Sequence, residues 1–154
     1  MCLQEDLPET TVDDFRHASQ GFNLAARKVR CRPMYFMAWA YSRLPDVTDA
    51  LIEAEHMTMA IEQHVDIAPV STAMRALAAR EAHIGLLEKD AEHPSKAGTY
   101  LAGLVIYFTL YRHEGTSHDT INFWPAELSE ADAIAVQRVA QAVIANPEWH
   151  RAQD

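Results

Sequence analysis

Apolar residues recur along this chain at spacings that predict helices through most of its length. Thr10 or Thr11 can cap a first helix, with Asp13 or Asp14 three residues on, and Phe15, Ala18, Phe22, Ala25, Ala26 and Val29 then fall at helical spacing as far as about Arg30. After Pro33 the run Met34 to Tyr41 is apolar on nearly every side, which predicts a short buried helix, or a strand if its neighbours demand one. Asp46 follows Pro45 as a cap, and Val47, Ala50, Leu51, Ala54, Thr58, Ile61 and Val65 line one narrow stripe of a further helix. The stretch from about Val70 to Glu92 is rich in Ala and Leu, both strong helix formers. The last helix opens at the capping box Ser129 to Asp132 and closes at Asn146-Pro147.

Periodicity does not decide the segment Leu101 to Arg112. Val105, Ile106, Tyr107, Phe108, Thr109 and Tyr111 favour strands, yet Tyr100, Leu101, Leu104, Val105, Phe108 and Tyr111 also fit a helical stripe. The polar stretch His113 to Asp119, with Gly115, and then Thr120 to Trp124 read with it as a β-hairpin. The expected fold is mainly α: a compact bundle of five to six helices with one β-hairpin near residues 103–124, forming a single domain over residues 1–154 with a flexible tail at 1–9.

Composition supports a chain that folds without staples. It has 154 residues, 49% of them hydrophobic, with five Gly and two Cys, far from the profile of a disordered chain or a disulfide scaffold. The N-terminus carries acids where a signal peptide would be basic and apolar, and the longest apolar run, Tyr100 to Tyr111, is too short for a membrane span. A cytoplasmic location is expected, with Cys2 and Cys31 as free thiols. The net charge of −9 opposes a phosphate backbone, so nucleic acid is not an expected partner. The basic stretch Arg27 to Arg32 is read as a helix C-terminus, where cations complement the dipole.

Eight histidines call for a search for metal and acid–base sites. Glu53-Ala-Glu-His56 has the E-x-x-H form of helical di-iron ligands, but on the stripe above both residues point away from the core. Asp90-Ala-Glu-His93 is a second near match, placed at a helix end before Pro94, and no pair of single interior Glu residues completes either set. Glu81 and Glu88, seven apart, share a face with Leu77 and Ile84 and are read as carboxylates on a helix rim. The densest cluster is His113, Glu114, His118 and Asp119, the candidate metal ligands; it would take a divalent transition metal or supply a general base. It is not H-E-x-x-H, because its histidines are five apart. Ser117 lacks the glycines of a nucleophile elbow, Cys31 reads as a buried structural thiol, and no phosphate-binding glycine loop is present.

Three functional expectations follow. The first is a non-enzymatic interaction module, an adaptor, inhibitor or regulatory protein, that needs no cofactor and acts through protein contacts with an acidic surface, as a homodimer. The second is a metal-binding protein or metal-dependent enzyme built on residues 113–119. The third is a pocket between helices for an apolar small molecule, near Trp39 and Tyr107.

Overall fold

Tyr35 and Ile67, two apolar residues in short segments far apart in sequence, are paired through parallel strands. The computed structural model describes residues 2–4, 7–111, 121–146 and 149, and divides the chain into two compact units, residues 1–71 with 147–154 and residues 72–146. In the first unit, β1 (Cys2–Gln4), β2 (Met34–Phe36) and β3 (Asp66–Ala68) form a parallel sheet in the order β1-β2-β3, in the register Leu3, Tyr35, Ile67. The helices α1 (Val12–Lys28) and α2 (Asp49–Gln63) are the two crossovers. Met34, Tyr35, Ile67 and Ala68 are buried, as expected where helices cover a parallel sheet. The neighbours on either side therefore draw Met34 to Phe36 into a strand, and residues 2–4, read from sequence as part of a flexible tail, supply one of those neighbours.

Both crossover helices bury a face that differs from their most apolar one. In α1 the buried residues are Phe15, Ser19, Asn23 and Ala26, while Phe22 and Val29 are exposed. The cause is a polar network. The Tyr35 hydroxyl lies 3.0 Å from both the Ser19 carbonyl and Asn23 Oδ1, Asn23 Nδ2 donates to Gln63 Oε1, and Ser19 Oγ donates to the Phe15 carbonyl at 2.7 Å. A buried tyrosine hydroxyl needs such partners, and they turn α1 about its axis. A bidentate fork from Arg16 to Glu55, at 2.8 and 3.0 Å, ties α1 to α2. In α2 the buried set is Ile52, His56, Met59 and Ala60, not the stripe through Leu51, Ala54 and Ile61. Its cap is Thr48, not Asp46: the helix begins at Asp49, Thr48 Oγ1 accepts from Leu51 N, and Asp49 Oδ1 accepts from Ala40 N and Ser71 Oγ. Arg27 donates to the Gln63 carbonyl at the end of α2, and Arg32 pairs with Asp66 at 2.7 Å, which accounts for two cations of the basic stretch.

The helix α3 (Val70–Arg80) leads into the second unit, which also holds α4 (Lys96–Tyr111) and α5 (Glu130–Ile144). The ambiguous segment from Leu101 to Tyr111 is helix. Leu101, Leu104, Val105 and Phe108 form a buried stripe, and Thr109 Oγ1 closes back on the Val105 carbonyl at 2.7 Å. Against it packs the face of α5 that buries Ala133, Val136, Val139, Ala140 and Ile144. Interior packing outweighs the β-propensity of single residues. Residues 121–124 have no regular structure, so the hairpin near 103–124 is not formed by any described residue. The described residues are mainly helical, each of the two units is compact, and no helix among the described residues is long and apolar enough to cross a membrane. Ser129 caps α5 as the sequence predicts, accepting from Asp132 N at 3.1 Å.

Candidate functional site

The second unit presents its chemistry on the connection between α3 and α4. The sequence predicts helix to Glu92, but α3 ends at Arg80. Local bonds shape the chain further on, at residues 87–94. Asp90 Oδ1 accepts from the backbone N–H groups of Glu92 and His93, both at 3.0 Å, in place of helical carbonyls. Pro94 has no N–H to continue a helix. Glu88 N donates to the His93 carbonyl at 2.8 Å and Leu87 bridges Pro94, so residues 87–94 form a tight hairpin-like turn. At its tip Ala91 has φ 56°, a left-handed conformation that costs an alanine roughly 1 kcal/mol.

This turn brings a carboxylate and an imidazole together. Asp90 Oδ2 lies 2.8 Å from His93 Nδ1. The hydrogen bond from His93, with the two backbone donors behind it, lowers the Asp90 pKa to about 2, and the Asp90 carboxylate raises that of His93 above the ordinary histidine value. With Nδ1–H donating to the carboxylate, the neutral ring carries its lone pair on Nε2. Side chains of His93 and Asp90 are 75% and 50% exposed, and among the described residues Nε2 has no hydrogen-bond partner. The result is a solvent-facing base whose tautomer is fixed by an acid. That is the orienting half of a nucleophile–base–acid arrangement.

Close by in sequence, a cleft of about 440 Å³ is lined by His83, Glu88, Ser95, Lys96, Glu127 and Asp132. His83 Nε2 lies 2.8 Å from Asp132 Oδ1, and Lys96 pairs with Glu127. Hydrogen bonds from His83 and Ser129 hold the Asp132 pKa below the usual carboxylate range.

The sequence singles out other residues, which lie as follows. Glu81 and Glu88 are not on one helix face; both belong to the connection after α3. His56 does not point away from the core: it is 1% exposed, its Nδ1–H donates to the Ile52 carbonyl at 2.8 Å, and its ring is 4.8 Å from that of Phe15. Its Nε2 is buried without a partner among the described residues, and burial lowers its pKa to about 4. No group of three or more metal-ligating side chains occurs among the described residues. His113, Glu114, Ser117, His118 and Asp119 lie outside them. Trp39 is in the first unit, edge-on to Phe36, and Tyr107 is in the second, 43% exposed beside Tyr111. Cys31 is half-buried and unpaired with another cysteine. In the sequence Asp90-Ala-Glu-His93 has only the form of a partial metal motif. The signal it carried is an Asx-turn former three residues before a histidine, followed at once by proline.

No family model and no curated protein matches the sequence. Among solved structures, the fold is similar to the crystal structure of a DUF4886 family protein from Bacteroides uniformis, with a TM-score of 0.72 and 17% identity. The likeness covers 96% of this chain and 62% of the other, so the chain spans less than two thirds of that protein's length. At that identity the match speaks for the fold alone.

Proposed function

We propose that the chain carries the general base of a hydrolytic enzyme. The observation behind this reading is the Asp90–His93 pair. Asp90 orients the imidazole and stabilises the cation it becomes, and Nε2 accepts the proton of a water or hydroxyl group as that oxygen attacks a carbonyl. The raised His93 pKa makes it a stronger base, and exposure leaves Nε2 open to substrate.

The test is hydrolysis of p-nitrophenyl acetate, followed by absorbance, with wild type compared to His93→Gln and Asp90→Asn. A positioned general base contributes about 10²–10⁴-fold, so His93→Gln should lose a factor of that size, and Asp90→Asn part of it. A wild-type rate no higher than that of His93→Gln overturns the reading.

A second reading, the interaction module, has one specific observation in its favour. Phe22 on α1 and Val29 just past its end are 46% and 75% exposed, on the same side as Ala18 and Ala25, while polar Ser19 and Asn23 are buried. In this reading the chain is a cytoplasmic homodimer that meets its partner through α1, and its test is native mass.

A further inference from the structure

An Asp–His hydrogen bond exposed on both sides is weak, because water competes for each partner, and it does not hold a turn in one conformation unaided. The left-handed Ala91 at the tip also needs surroundings that impose it. Those surroundings begin at the stem of the turn. Ser95 N donates to the Leu86 carbonyl at 2.9 Å, one step below the Leu87–Pro94 bridge. Ser95 Oγ donates to the Gly85 carbonyl at 2.7 Å and accepts from Gly98 N at 3.1 Å. A single hydroxyl therefore joins the chain entering the turn to the first turn of α4. Gly98 completes the contact: a Cβ there would lie 2.2 Å from the Leu86 carbonyl oxygen, which is backbone and has little room to yield. Helix capping explains the bond from Gly98 N, but it explains neither the bond to Gly85 nor the absence of a side chain at 98.

We propose that Ser95 and Gly98 are positioning residues for the Asp90–His93 pair, clamping the stem of the turn onto α4 so that carboxylate and imidazole stay hydrogen-bonded at its tip. The proposal rests on the general-base reading in giving that pair a task, but it is tested without any substrate. The experiment is an NMR pH titration of the His93 ring in the full chain, with Glu92, the other charge acting on His93, kept throughout. Asp90→Asn gives the midpoint of an unpaired His93. Ser95→Ala and Gly98→Ala should each move the midpoint at least half of the way from the wild-type value down to that one, and Ser95→Thr, which keeps the hydroxyl, should stay at wild type.

A residue that only capped α4 would alter thermal stability and leave the His93 midpoint where it was. An unchanged midpoint in folded Ser95→Ala and Gly98→Ala overturns the clamp while leaving the pair intact. Equal midpoints in wild type and Asp90→Asn would overturn the pair itself, and with it the functional reading. If Gly98→Ala, whose Cβ meets the Leu86 carbonyl oxygen, does not fold, Ser95→Ala decides alone, since it removes a hydroxyl and adds nothing that clashes.

Discussion

His56 is the clearest case of a residue whose environment is set by tertiary packing. Its neutral imidazole in the core has one nitrogen bonded to Ile52 and one without a partner among the described residues, and protonating it there is costly. Its pKa is about 4 when folded against 6.5 for an ordinary histidine. As pH falls below 6.5 the unfolded chain takes up the proton first, so stability is full above that value, declines between 6.5 and 4, and is flat below. At pH 5 the loss is about 2 kcal/mol. Urea unfolding at pH 7 and pH 5 should show this drop in wild type and most of it should vanish in His56→Leu; equal drops in the two proteins would refute the assignment. The sequence names His56 but places it outward, because the apolar stripe through Leu51 and Ala54 has the pattern of a core face. The buried residues, Ile52, His56 and Met59, have an equally good helical spacing, and nothing local distinguishes the two faces.

At the scale of elements, capping chemistry is legible and face selection is not. Thr11 and Ser129 cap α1 and α5 as their side chains predict, whereas at α2 the cap is Thr48, two residues past the expected Asp46. The face of α1 depends on Tyr35, twelve residues beyond Asn23, and the turn that follows α3 depends on Asp90 accepting from the N–H groups of Glu92 and His93. The α4 segment offers a sharper test of helix against strand. In the helix Leu104 is 4% exposed and Leu110 is 51% exposed, whereas a strand would put both, six residues apart, on one face. Leu104→Ala should cost about 2–5 kcal/mol and Leu110→Ala within about 0.5 kcal/mol of nothing, read from denaturant midpoints. Equal large losses would restore the strand.

For the molecule as a whole, the sheet is the feature that sequence hides. Each strand has three residues, too few for a period of two to register, and their pairing spans residues 2 to 68. The Asp90–His93 site is hidden differently: its D-x-x-H spacing is visible in the sequence, but the geometry that makes the two a pair exists only where the chain leaves the helix.

Molecular scale also decides between acting alone and acting as a pair. Phe22 and Val29 give α1 an apolar strip, yet isolated apolar residues on a surface are ordinary, and a stable interface requires on the order of 1,200–2,000 Å² in total. Two copies each carrying a charge of −9 also repel, over a Debye length of about 10 Å at 0.1 M salt. If α1 faces pair, apolar attraction has to work against that repulsion, so the dimer fraction must rise as salt screens it. Sedimentation velocity at low and high salt should then give a mass that climbs with ionic strength in wild type and stays monomeric in Phe22→Glu, which puts a charge in the strip. A wild-type protein that remains monomeric at high salt and high concentration would leave the strip as plain surface, and the interaction-module reading would lose the observation that favours it.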